Sequence, residues 1–114
     1  MSNITVTINT PASGPFNLQK LFAGNNYGGA VTITPATPLA VKNNVQYCSV
    51  QSDPANGSNF AILGDKNITP AGAPAGKRLA AGALAIDQGA STIPLSQRNI
   101  NGNVATVVIN IEAF

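Results

Sequence analysis

Apolar residues alternate with polar ones over short stretches of this chain, and each stretch stops at turn residues. In "NITVTIN", Ile4, Val6 and Ile8 fall on one face and Thr5 and Thr7 on the other, the period of two that marks a half-buried strand. "AVTITP" repeats the pattern with Val31 and Ile33 inward. "VQYCSVQS" is also strand-like, but Val45, Tyr47 and Ser49 alternate against Cys48 and Val50, which leaves its inward face open. "NFAILG" puts Phe60 and Ile62 on one face, and "KRLAAG" gives a brief strand. "STIPLSQ" groups Ile93 with Leu95 around Pro94, a residue suited to a sheet edge. The last stretch carries Val107, Ile109 and Ile111 on one face and Val104 and Val108 on the other.

The intervening segments are punctuation. "TPASGP", "NNYGG" and "DPANGS" are turns built from residues that tolerate positive φ or fix it. "ATPLAVKNN" is loop or edge strand, and "ALAIDQGAS" is a turn. "FNLQKLFAG" fits two readings: Phe16, Leu18 and Phe22 suit a strand, whereas Leu18, Leu21 and Phe22 have helical spacing. It is expected to be a short strand or a single turn over one end of the core. Asn101-Gly102 predicts a hairpin with a two-residue type I′ turn. The 11 glycines and 8 prolines leave no uninterrupted window for a helix of ordinary length. The expected fold is all-β: an antiparallel β-sandwich, jelly-roll-like, with seven or eight short strands. It forms one domain over residues 1–114, with 1–22 a candidate extended, partner-contacting segment.

Composition narrows the chemistry. Only 9% of the 114 residues are charged, against about a quarter in an average soluble domain. With 44% hydrophobic residues the chain still has a core to build, and its surface is covered mainly by neutral Asn, Thr, Ser and Gln. Little charge repulsion then keeps copies apart, which favours a life packed against other proteins. Six basic residues are spread from Lys20 to Arg98, and only Lys77-Arg78 are adjacent. That is too thin a footprint for nucleic acid.

There is no histidine and one cysteine, so the usual zinc spacings and Ser-His-Asp or Cys-His sites are excluded. Cys48, inside "VQYCSV", reads as a small core residue. The acids Asp53, Asp65, Asp87 and Glu112 each sit at a turn or near the terminus, where Asp bonds nearby backbone N–H groups. No calcium-loop spacing occurs. "GAPAGKR" has three residues between Gly72 and Gly76 and Arg78 in place of the hydroxyl, so it is not a phosphate loop. Neither catalysis, a metal nor a cofactor is expected. The opening "MSNITVTIN" has no secretory pattern, no run is long enough to span a membrane, and a reducing cytoplasm is the expected place of folding.

Residues 45–114 resemble small virion proteins of tailed bacteriophages. The resemblance is carried by an apolar strand, the Asn-bearing turn from Asn56 to Asn59, "FAILGD", the Gly76, Leu79 and Gly82 spacing, and the closing Asn101-Gly102 turn. It implies a non-enzymatic capsid decoration (cement) protein on the virion surface, made in the host bacterial cytoplasm. Its implied partners are major capsid protein subunits and further copies of itself, a trimer being favoured, with neither nucleic acid nor membrane. The candidate contact residues are Phe16, Leu18 and Phe22 in the N-terminal segment, and Asp65, Lys66, Pro70, Pro74, Lys77 and Arg78 in the central loop. Removal of residues 1–13 is expected to cost shell binding more than folding. The alternative is a tail-fibre or baseplate module that binds a receptor or carbohydrate. That reading needs exposed aromatics on one sheet face, and the two tyrosines, Tyr27 and the core-like Tyr47, offer a thin platform.

Overall fold

Ile4, Val6 and Ile8 point into the core while Thr5 and Thr7 face outward, as their alternation predicts. The computed structural model describes residues 2–10, 15–36, 38–39, 43–69 and 76–114. Among them run β1 (Ser2–Ile8), β2 (Phe16–Asn17), β3 (Val31–Thr34), β4 (Asn44–Ser52), β5 (Ala61–Gly64), β6 (Gly76–Leu79), β7 (Leu84–Pro94), β8 (Asn99–Gly102) and β9 (Val108–Ala113). β2 has only two residues, and the other eight fall within the seven or eight short strands expected. Together these strands form a five-stranded sheet of order β3-β1-β9-β4-β7 and a four-stranded sheet of order β2-β8-β5-β6.

Every pairing is antiparallel, and the pairs nest: β1 with β9, β2 with β8, β4 with β7, β5 with β6. A chain that pairs its ends and then works inward is one long hairpin rolled into two layers, which is the jelly roll. β3 is an extra strand laid on the edge of β1. The inner faces of both sheets meet in one cluster that includes Val6, Ile8, Val50, Ile100, Ile109 and Ile111.

The ambiguous segment resolves into both readings in sequence. Phe16 joins β2 and pairs with Ile100, and α1 (Leu18–Phe22) follows, capped by the Asn17 side chain, which accepts from the Lys20 N–H. Leu18, Leu21 and Phe22 at i, i+3 and i+4 are all buried, each adding about 1.5–3 kcal/mol relative to an exposed side chain. Their helix packs against β2 and the turn Leu95–Gln97.

Three expectations are corrected. "ALAIDQGAS" is not a turn but the first half of β7, an edge strand paired only with β4. Its alternation is inverted: Leu84 and Ile86 face solvent, and the small Ala85 faces the core, so its strand character was hidden. Asn101-Gly102 is not a hairpin turn. Both residues lie inside β8, and the chain then crosses to the other sheet to begin β9. Gly102 lies outside the left-handed region; a Cβ there would stand 3.0 Å from Val107 Cβ and 3.2 Å from Ile8 Cγ1. Close packing, not turn chemistry, requires the glycine. Finally, the described part of the N-terminal segment is built into the sandwich: β1 lies between β3 and β9, and Phe16, Leu18, Leu21 and Phe22 are buried in the core.

The uncertain face of β4 also has a cause. The N–H groups of Gln46 and Tyr47 both donate to the carbonyl of Phe114, at 2.8 and 3.0 Å. Two residues oppose one, which is a β-bulge. Val45 points inward before it, and Cys48, Val50 and Ser52 point inward after it. Tyr47 is thereby turned to the outer face.

Candidate functional site

Strand pairing leaves two features on the surface that a partner can use. The first is the side of the sandwich where both sheets end. β6 and β7 are the terminal strands of their sheets, and a cleft of about 150 Å³ lies between them, lined by Leu18, Val50, Leu63, Lys77, Ile86 and Asp87, among others. Cys48 is at its floor. Burial pushes the Cys48 thiol up to about 11, with the nearby Asp87 charge adding to the rise and Arg98 opposing it. A thiol held neutral this firmly is packing, not a nucleophile. Asp87 is therefore a strand residue and not the turn residue expected: its carboxylate accepts from Arg98 Nε at 2.9 Å and Nη2 at 2.8 Å. Both groups are partly solvated, so the pair contributes about 0–1 kcal/mol. Leu84 and Ile86, both half exposed, stand on the outer face of β7 opposite Gln51 and Ser49; Ile86 also lines the cleft, whereas Leu84 lines the groove of the outer face.

The β5–β6 hairpin carries four of the candidate contact residues. The Asp65 carboxylate accepts from the Asn67 N–H at 2.8 Å and shapes the turn, as its sequence context predicts, and Lys66 is exposed beside it. Lys77 and Arg78 are exposed on β6, opposite Leu63 and Ile62. Neighbours on a strand face opposite ways: Lys77 lines the cleft, and the Arg78 guanidinium sits 4.8 Å from the centre of the Phe60 ring on the far face. Phe60 and Ile62 share that outer face rather than the main core, and Ile62 and Ile68 are buried there. They close over Gly76, where a Cβ would stand 2.7 Å from Ile62 Cγ2. Pro70 and Pro74 lie outside the described residues. Phe16, Leu18 and Phe22 are 0–1% exposed; their side chains build the core, and the contact expected of them does not fit this burial.

The second feature is the outer face of the five-stranded sheet. A groove of about 370 Å³ crosses it, lined by Asn3, Tyr47, Ser49, Gln51, Asn110 and Glu112, among others. At one end Tyr47 stacks on Phe114, with ring centres 4.9 Å apart and planes within 20°. Toward the other end the Asn110 amide is fixed between two neighbours: its Oδ1 accepts from Thr5 Oγ1 at 3.1 Å and its Nδ2 donates to Asp53 Oδ2 at 3.1 Å. Asp53 also caps the short turn Pro54–Asn56 by accepting from the Ala55 N–H, and the two bonds together hold its carboxyl below the usual range. Sequence reasoning placed Tyr47 in a core-like strand and passed over Phe114, because nothing in the local pattern announces the bulge that brings them together. Tyr27 has a structural role: its ring meets Phe16 edge-on at 5.0 Å, and its hydroxyl accepts from the Asn17 N–H.

Among the described residues no three His, Cys, Asp or Glu side chains group as metal ligands, and no helix is long and apolar enough to cross a membrane. The chain matches no protein-family model, no curated protein and no solved structure.

Proposed function

We propose that this chain is a non-enzymatic structural protein of a phage virion, a decoration protein that binds the outer capsid shell and stabilises the head. The observation that carries the proposal is the open side of the sandwich, where the free edges of β6 and β7 lie together with the exposed Ile86. A free edge offers a row of backbone donors and acceptors that another chain satisfies by adding a strand. Here the β7 edge runs over 11 residues, and this side offers the apolar Ile86 and the charged Lys77 beside the mutually paired Asp87 and Arg98, so a partner that covers it meets backbone, apolar and charged groups together. The jelly roll is also an architecture of viral capsid domains, a likeness of fold that adds weight without specifying a role.

Each docked copy buries surface on the shell, and by linkage the bound shell becomes harder to open. Trimers at capsid three-fold positions multiply weak contacts into stable occupancy. Lys77 and Ile86 are the side chains proposed to meet the capsid subunit. Co-sedimentation with purified heads tests this: the parent chain saturates the shells, and an Ile86→Asp, Lys77→Glu double variant with unchanged far-ultraviolet spectrum binds weakly. Full occupancy by that variant would contradict the assigned surface.

A further inference from the structure

The groove on the outer face of the five-stranded sheet has a chemistry unlike that of the open side. We infer that it is a binding site for a neutral oligosaccharide, with Tyr47 as its stacking wall and Ser49, Gln51, Asn110 and Glu112 as its hydrogen-bonding floor.

Four observations carry this. A β-bulge turns Tyr47 outward, and Phe114 lies flat against it. Bulges commonly re-aim a side chain where function needs it, and a ring braced by a second ring loses little freedom on binding. An aromatic wall suits the C–H face of a pyranose. Beside the apolar Leu84, the lining brings planar amides, hydroxyls and one carboxylate, and these polar groups supply both donors and acceptors for sugar hydroxyls. Asn110 is already oriented by Thr5 and Asp53, whereas Ser49 and Gln51 make no side-chain hydrogen bond within the protein among the described residues. The lining holds a single carboxylate, Glu112, and no lysine or arginine among the described residues. Phosphate, sulfate or nucleic acid would meet no cation there. Finally, the exposed Leu84 adds an apolar wall beside Gln51, and a shallow groove across a sheet with aromatic, apolar and amide groups suits an extended, hydroxyl-rich chain that presents C–H faces as well as hydroxyls.

The groove adjoins the open side, since Leu84 lies opposite Gln51 and Ile86 opposite Ser49, but sugar binding is read on the purified chain without heads and so fails or succeeds separately from head binding. The test is an isotope-labelled amide titration of the purified chain with cellotetraose, chitotetraose and maltotetraose, with dextran sulfate as the anionic control. Saturable shifts are expected at residues 47–51 and 110–114 with at least one neutral oligosaccharide and not with dextran sulfate. Tyr47→Ala is expected to weaken that binding about tenfold, by loss of the stacked ring. Gln51→Ala, a change on the hydrated face that leaves the core untouched, is expected to weaken it several-fold and so serves if Tyr47→Ala perturbs the sheet. Absence of saturable shifts on these strands with all three sugars would overturn the inference, as would binding that survives both substitutions. Concentration-dependent shifts of the same residues without sugar would assign the face to a second copy of the chain and overturn it equally.

Discussion

Asn56 is the polar residue whose loss should hurt this fold most. It is buried, 8% exposed, just beyond the end of β4. Its side chain stands in for a strand: Nδ2 donates to the Val108 carbonyl at 2.8 Å and to Ser52 Oγ at 2.9 Å, and Oδ1 accepts from the Val108 N–H at 2.9 Å. It continues the pairing of β9 where β4 has run out. In Asn56→Ala the Val108 N–H loses its partner, while the Val108 carbonyl keeps the bond from the Asp53 N–H at 3.0 Å. One unsatisfied buried donor costs about 1–3 kcal/mol, and the other lost bonds about 0.5–1.5 kcal/mol each. With part of that loss compensated at the carbonyl, a total of about 2–4 kcal/mol is expected, a large share of the roughly 5–15 kcal/mol that holds a typical domain together. Urea unfolding followed by circular dichroism should show a lower midpoint with an unchanged slope. Asn59→Ala, which removes only a 3.3 Å bond from Asn103 Nδ2, is the control and should stay within about 1 kcal/mol of the parent. An Asn56→Ala variant as stable as that control would refute the reasoning, because it would mean that the amide does not carry the β4–β9 junction.

Other expectations follow from packing and burial. Gly102→Ala should destabilise by about 1–3 kcal/mol, the cost of overpacking against Val107 and Ile8, measured by the same urea titration. Removing residues 1–13 deletes a strand that buries Ile4, Val6 and Ile8, up to about 5–9 kcal/mol of burial. The shortened chain should lack the cooperative unfolding transition of the parent, the reverse of the sparing effect that the sequence suggests. Cys48 should resist thiol reagents at neutral pH in the native state and react on unfolding. Because its folded value near 11 lies above the ordinary thiol value of 9.0, stability should hold below pH 9 and fall as pH rises from there, through preferential ionisation of the unfolded chain. Cys48→Ala should remove that alkaline dependence. Asp53 acts in the opposite sense: its depressed carboxyl favours the fold above the ordinary carboxylate value and loses that contribution as pH falls through its lower folded value, a dependence that Asp53→Asn should reduce in an acid titration of stability.

Much of the architecture was legible because one side of most strands is buried and the other hydrated. β1, β3 and β9 declare themselves by that contrast, and the β5–β6 hairpin by the Gly-Asp corner and the Pro/Gly-rich segment after it. The signal failed where packing overrode the local pattern. In β7 the large side chains are outside and the small one inside, so alternation reads backwards. In β4 a bulge shifts the parity between Val45 and Cys48, and no run of residues encodes which strand will oppose it. Asn101-Gly102 has turn chemistry but serves a tight crossing of β8 over Ile8 and Val107. The same causes limited the site. Phe16, Leu18 and Phe22 looked like an apolar contact strip because their segment was short enough to fit two periods, and the Tyr47–Phe114 pair is joined by residues 67 positions apart. Asp65, Lys66, Lys77 and Arg78, by contrast, were legible as one exposed hairpin because turn residues and charges leave few alternatives.

The proposal that this chain coats a phage capsid is tested most directly by counting its copies on phage particles assembled in its presence, after heads and tails have been separated. The chain is expected to stay with the heads at a fixed, saturating number of copies, and heads stripped of it to open at lower temperature and recover when it is added back. Its recovery with the tails alone, or its absence from the particles, would contradict the account.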